Sequence, residues 1–214
     1  MQYPKNAVIL AAGLGSRLGM DMPKCLVEIN DKRLIDYQLD LLKDFDDIRV
    51  VVGFKEEAVM EHVSKRRPDC VFVRNPNYST TSNSCSAKLA ARHIKEPYIV
   101  LDGDIYISPE SFDSFLQECV KYQHENIICA TSTKTEEPVY IHIQDDHIVQ
   151  FSRDKKSEYE WCGVAYINNI DFKNADIGYI YKILEQALPS KSFILDVVEI
   201  DTPHDYTEAV KYII

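Results

Sequence analysis

Ala7-Val8-Ile9-Leu10-Ala11-Ala12, running into Gly13-Leu14-Gly15-Ser16-Arg17-Leu18-Gly19 and on to Pro23-Lys24, is the stretch from which the rest of the 214-residue chain is read. Six consecutive apolar residues have the length of a strand buried on both faces. The chain leaves that strand through glycines, which allow positive φ and let backbone N–H groups approach an anion with no Cβ in the way. Arg17 and Lys24 then add two cations, because the amides alone balance only part of a phosphate's charge. A nucleoside triphosphate is the expected ligand.

Two common glycine loops do not fit. A dinucleotide fingerprint needs a third glycine three residues after the second, and that position is Leu18. A P-loop ends in Gly-Lys-Ser/Thr, and no such triplet follows. What remains resembles the signature of the nucleotidyltransferase (NTP transferase) superfamily: a strand, Ala-Ala-Gly-x-Gly-x-Arg, then Pro-Lys. Ala11-Ala12-Gly13-Leu14-Gly15-Ser16-Arg17 and Pro23-Lys24 match it residue by residue. The resemblance implies a Rossmann-like three-layer α/β/α fold with a mainly parallel mixed sheet and a small acceptor-side β lobe. It also implies nucleotide contacts from Leu10, Ala11, Ala12, Gly13, Gly15 and Ser16, with Arg17 and Lys24 as the catalytic cations.

Composition bounds the partners. The net charge of −10 argues against general nucleic-acid or anionic-membrane binding, since both need a basic face. A triphosphate would therefore need a local cationic pocket and a divalent metal. With 45% hydrophobic and 27% charged residues the chain reads as an ordinary globular one, so disorder is confined to its ends. The length suits one domain, 1–214, with a nucleotide-binding part of about 1–105 and an acceptor and metal-completing part of about 106–214. The six cysteines, at 25, 70, 85, 119, 129 and 162, show no Cys-x-x-Cys and no zinc spacing, so they read as reduced thiols. No segment reaches the roughly 18 apolar residues of a membrane span. A cytoplasmic protein is expected.

Along the chain, 25–29 reads as a short strand and Asn30-Asp31 as its turn, ahead of a helix marked by Leu34, Ile35, Leu39 and Leu42. Strands at 48–52, 70–73 and 97–101 alternate with helices at about 55–65 and 84–93, which is the pattern of a parallel sheet. A helix at 109–123 follows, then strands at 127–131, 139–143, 148–151 and 161–167. The remainder reads as mainly helix over 169–187, a strand over 193–200 and a last helix from Pro203, which leaves no length for an acyltransferase domain.

The strand at 97–101 ends in Asp102-Gly103-Asp104. At the carboxyl ends of parallel strands this acidic pair and the glycine loop would share one crevice. Two carboxylates so placed repel each other unless a metal neutralises them, whereas a loop and a helix cap is the plainer alternative. The superfamily resemblance implies that Asp104 ligates Mg2+, with Asp102 on the nucleotide side. Glu199-Ile200-Asp201-Thr202-Pro203 looks like the late metal-ligand segment of the smaller bacterial cytidylyltransferases, which carries the second ligand to Asp201. A plain N-cap ahead of Pro203 is its alternative reading.

The polar loop 75–83 is the expected base reader, with Thr81, Ser82, Asn83 and Ser84 nominated, since their groups both donate and accept hydrogen bonds. It is similar to the Asn-containing loop of bacterial CTP:phosphocholine and CTP:phosphonate cytidylyltransferases, although Cys85-Ser86-Ala87-Lys88-Leu89 departs from their aromatic-Ser-Leu continuation. Tyr159, Glu160 and Trp161 combine aromatics with a carboxylate and are nominated to hold an ammonium-bearing acceptor, against the alternative that strand aromatics are core. No histidine dyad or Gly-x-Ser-x-Gly elbow supports a nucleophilic hydrolase. The expected protein is a Mg2+-dependent cytidylyltransferase joining CTP to a small phosphate or phosphonate acceptor, with a homodimer possible and, by resemblance, a role in surface polysaccharide or lipid decoration. Three alternatives stay open: a sugar 1-phosphate nucleotidyltransferase using UTP, GTP or dTTP, a glycosyltransferase using the Asp-x-Asp, and a non-catalytic nucleotide sensor.

Overall fold

A computed structural model describes residues 3–172 and 178–213. In chain order its elements are β1 (Asn6–Leu10), β2 (Glu28–Ile29), β3 (Lys32–Arg33), α1 (Leu34–Leu41), β4 (Asp47–Val52), α2 (Glu56–Arg66), β5 (Val71–Arg74), α3 (Asn83–Ala91), β6 (Tyr98–Asp102), β7 (Ile105–Ile107), α4 (Pro109–Lys121), β8 (Ile127–Ser132), β9 (Tyr140–Gln144), β10 (His147–Ser152), β11 (Tyr159–Ile167), α5 (Ile180–Leu184), β12 (Ser190–Ile194), β13 (Val197–Glu199) and α6 (Pro203–Tyr212).

β1 is apolar throughout because both of its faces are covered. Ala7, Ile9 and Ala11 join one core with Ile35, Leu39, Val59 and Phe112 from α1, α2 and α4. Val8, Leu10 and Ala12 join the opposite core with Ala87, Ala90, Ile180 and Ile183 from α3 and α5. Helices on both faces of one sheet make the expected three layers.

The main sheet runs β5-β4-β1-β6-β11-β8-β12-β10-β9. β1 lies parallel to β4 and β6, β4 is parallel to β5, and β11 is antiparallel to its neighbours. The β9–β10 hairpin does not stand apart as a lobe. It pairs through β10 with β12, and β9 pairs back to β11, so these strands close on themselves while remaining part of the main sheet.

Three expected elements differ. The segment 25–29 starts as a 3-10 turn over Lys24–Leu26, fixed by Val27 N–H donating to Lys24 O at 3.0 Å, so only Glu28–Ile29 is extended. Asn30 and Asp31, at φ 52° and 62°, turn it into the hairpin with β3. The strand expected over 193–200 splits in two: β12 lies parallel to β8, and β13 leaves to pair antiparallel with β7. The break falls where Asp196 O accepts from Ser108 N at 3.0 Å, which ties the chain to the start of α4. Of the helix expected over 169–187, only α5 and a 3-10 turn at Glu185–Ala187 form; residues 173–177 lie outside the described residues. The backbone N–H groups of Asn168 and Asn169 donate to Asn126 Oδ1, at 2.9 and 3.3 Å, which fixes the chain as it leaves β11.

All six cysteines are free, and five of them are buried. Burial pushes the Cys25 thiol up to about 12 and that of Cys70 up to about 11, so neither is a ready nucleophile. Among the described residues no helix is long and apolar enough to cross a membrane.

Candidate active site

Two glycines are dictated by close approach. A Cβ on Gly103 would stand 2.7 Å from Leu10 O, so the turn after β6 can rest on the end of β1 only without a side chain. Gly15 sits at φ +63°, and a Cβ there would meet Lys24 Cγ at 2.7 Å. These contacts bring the glycine loop, Lys24 and Asp104 into one crevice. Gly13 borders open space, with nothing within 4 Å of where a Cβ would stand, so a ligand can reach its backbone.

The late segment enters the crevice through the β7–β13 ribbon. Glu199 pairs with Ile105, and Ile200 N–H donates to Asp104 O at 2.9 Å, which seats Asp201 beside Asp104 across nearly a hundred residues of sequence. Asp201 is not the helix cap of its alternative reading. Thr202 caps α6, its side chain accepting from Asp205 N while the Asp205 carboxylate accepts from Thr202 N at 2.8 Å. The Asp201 side chain is therefore left for the crevice. Asp104 is likewise no helix cap, since Ser108 precedes α4.

Asp104, Glu199 and Asp201 each bring an oxygen within 4.8 Å of the others. Sequence reasoning did not nominate Glu199. The available signal was its spacing of two from Asp201, which places both on one side of an extended segment. Burial first, then the charges of Asp104, Asp201 and Asp102, push the Glu199 carboxyl up to about 8. Burial and the Asp104 charge push Asp102 up to about 7, while a hydrogen bond from Asn83 Nδ2 at 3.3 Å opposes the rise. Carboxylates that resist ionisation in this way are a site short of positive charge.

Two cations supply part of it. Lys24 Nζ bonds Asp104 Oδ2 at 3.0 Å and also bonds Asp201 Oδ1. Burial alone would lower the pKa of this ammonium, but the charges and hydrogen bonds of Asp104 and Asp201 outweigh burial and hold it above the usual lysine value. Arg17 Nη2 lies 2.5 Å from Asp201 Oδ2, on a side chain that is 62% exposed. Three carboxylate oxygens of this type are the donor set a hard divalent cation takes, so the residues fit the metal the sequence led one to expect.

The other nominated residues fare differently. Leu10, Ala11 and Ala12 are buried beneath the loop, and Ala12 O accepts from Phe54 N at 3.1 Å. In the expected base loop, Thr81 Oγ1 donates to Asn77 O at 2.8 Å and Ser82 Oγ donates to Gly178 O. Asn83 Oδ1 accepts from Ile180 N at 3.0 Å. Ser84 is fully buried and its hydroxyl donates to Gly178 O, so it anchors the loop from inside.

Glu160 is also turned inward. It is 2% exposed, and its carboxylate accepts from the amides of Lys134 and Thr135, at 2.9 and 3.1 Å, and from Thr135 Oγ1 at 2.5 Å. It clamps the loop between β8 and β9, with its oxygens taken up by these donors. Trp161 packs edge-on against Phe151 with ring centroids 6.3 Å apart, and Tyr159 rests on the same core, so both are largely part of the packing.

The MobA-like NTP transferase domain matches residues 7–156, and the chain belongs to that family of nucleotidyltransferases. Among curated proteins it is 36% identical over 112 residues to a choline-phosphate cytidylyltransferase of Streptococcus pneumoniae, a region covering 50% of this chain and 48% of that one. It is 35% identical over 121 residues to a CTP:phosphoglutamine cytidylyltransferase of Campylobacter jejuni, covering 54% and 47%. A bifunctional protein GlmU of a Hydrogenobaculum species is 25% identical over 217 residues, covering 94% and 47%. The chain spans about half the length of these curated relatives. Among solved structures, the CTP:phosphocholine cytidylyltransferase of Streptococcus pneumoniae has the same fold, with a TM-score of 0.80 at 22% identity over 98% of this chain and 99% of that one.

Proposed function

We propose that the protein is a Mg2+-dependent cytidylyltransferase, transferring the CMP group of CTP to a small phosphorylated or phosphonate acceptor and releasing pyrophosphate. The observation that carries this reading is the meeting of Lys24 and Arg17 with Asp104, Glu199 and Asp201 at the mouth of the glycine loop. The CTP half is supported by the cytidylyltransferase relatives above.

In this reading an anionic oxygen of the acceptor forms a bond to the α-phosphorus of CTP as the bond from that phosphorus to the bridging oxygen breaks, and the electron pair leaves with pyrophosphate. The acceptor oxygen is already anionic, so no general base is needed. Mg2+, held by Asp104, Asp201 and Glu199, would supply charge neutralisation and alignment of the phosphate oxygens. Lys24 and Arg17 exchange their carboxylate partners for the phosphates and stabilise charge gathering on the α-phosphate and on pyrophosphate. Backbone amides at Gly13, Gly15 and Ser16 cradle the triphosphate, while Thr81, Ser82, Asn83 and Asp102 border the nucleoside. Tyr159 and Trp161 keep an acceptor-side role only through the part of each ring left exposed. The nucleotide part is residues of about 1–105, and about 106–214 completes the metal and acceptor sides.

A second reading keeps the chemistry and exchanges the substrates for a sugar 1-phosphate and another nucleotide. It is supported by the alignment with GlmU along 94% of the chain. The test is pyrophosphate release with Mg2+, using each ribonucleoside triphosphate and dTTP against a panel of small phosphates, phosphonates and sugar 1-phosphates. Release confined to CTP with an amino-alcohol, amino-acid or similar phosphate or phosphonate is the expected result. Turnover only with another nucleotide and a sugar 1-phosphate would select the second reading.

A further inference from the structure

We infer that Gln38 is a positioning residue for Asp104, acting on the backbone turn that aims this carboxylate; the inference rests on the metal site proposed above. Gln38 lies on α1, fully buried on the helix that also carries Leu34, Ile35 and Leu39. A primary amide with no access to water needs a reason to be there. Its Nε2 donates to Asp102 O at 2.8 Å and to Ile105 O at 2.9 Å. These carbonyls are the two ends of the turn whose middle residues are Gly103 and Asp104.

The rest of that turn is tied elsewhere. Gly103 N–H donates to Leu10 O at 3.0 Å, and Asp104 O accepts from Ile200 N at 2.9 Å. The first strand, the late segment and α1 thus hold the turn from three directions, and Gln38 is the tether that spans its width. Gln38 Oε1 has no hydrogen-bond partner among the described residues. Turning the amide over would set that oxygen against two carbonyl oxygens, so the observed orientation is the one the turn permits. A methionine in its place would remove the orphan oxygen but leave both carbonyls without their donor. The turn would then be free to widen, and Asp104 would lose its fixed direction toward Glu199 and Asp201. Groups that orient metal ligands in this manner typically change metal affinity by about 10- to 100-fold when removed.

The experiment is a titration of the purified protein with Mn2+, followed by the loss of the free-ion electron paramagnetic resonance signal, alongside a melting curve. Gln38→Met is expected to bind Mn2+ about 10- to 100-fold more weakly than wild type. Ile35→Val, a buried change on the same helix that touches neither carbonyl, is expected to lower the melting temperature and leave Mn2+ binding unchanged. Gln38→Asn, too short to span both carbonyls, serves should the methionine variant not fold, and is expected to weaken binding to a lesser degree. Wild-type affinity in both Gln38 variants, or an equal loss in Ile35→Val, would overturn the assignment. Asp104→Asn separates the two levels: if it binds Mn2+ as wild type does, the metal site itself is wrong and the role of Gln38 falls with it.

Discussion

In the carboxylate cluster of Asp104, Glu199 and Asp201, Lys24 pairs with Asp104 and Asp201 and Arg17 with Asp201, whereas in the neighbouring loop at 75–84 the polar side chains are bonded to the fold itself. Asn75 Nδ2 donates to Thr81 Oγ1 and to Ser86 Oγ at 3.1 and 3.0 Å, and Ser82 and Ser84 both donate to Gly178 O. Both regions are dense in polar groups, yet only one keeps charge in excess of its partners. The difference separates carboxylates left with unbalanced charge from polar side chains largely committed to the fold, and composition alone does not make that distinction.

Substitution of the cluster should give the largest effect. Lys24→Met is expected to lower the rate of pyrophosphate release by about 10² to 10³, and also to lower the melting temperature, since Asp104 and Asp201 lose their shared ammonium. A fall of less than about tenfold would place Lys24 among the merely structural residues.

The loop side should respond in stability instead. Glu160→Ala strands the amides of Lys134 and Thr135, a loss of about 1–3 kcal/mol. In a chain of this size that lowers the melting point by roughly 2–4 °C for each kcal/mol. Mn2+ affinity should stay at the wild-type value; a changed affinity would mean that the clamp reaches the cluster. Ser84→Ala removes a buried donor and is expected to cost about 1 kcal/mol, with the KM for CTP unmoved. Asn83→Ala, by contrast, should raise that KM. The smallest effect belongs to Glu137, 81% exposed and 3.8 Å from Arg17. Glu137→Ala should change stability by no more than about 1 kcal/mol, and less in high salt.

The same contrast sets what was legible in the sequence. The strand, the glycine loop, Lys24 and Asp104 lie in two short stretches whose chemistry is local, so their meeting could be anticipated from one rule about the carboxyl ends of parallel strands. Asp201 needed the resemblance, because its place depends on the β7–β13 ribbon. Glu199 went unnominated inside a segment read as one continuous strand, although its spacing from Asp201 was there to be used. The split between β12 and β13 hangs on the hold that Ser108 and Ser111 have on Asp196, a long-range contact with no local mark. Glu160 beside Trp161 resembled a recognition pair because nothing in the residues near it announces that the backbone at 134–135 folds over its carboxylate. Burial of a polar side chain is a property of its partners, and those partners are distant in sequence.

The most direct test of the cluster as the seat of chemistry is Mg2+-dependent pyrophosphate release from CTP, with an acceptor that supports turnover, measured for wild type and Asp201→Asn together. Release that requires Mg2+ in the wild type and falls by at least about 10² in Asp201→Asn, with an unchanged melting curve, is the predicted result. Turnover by Asp201→Asn at the wild-type rate would contradict the account.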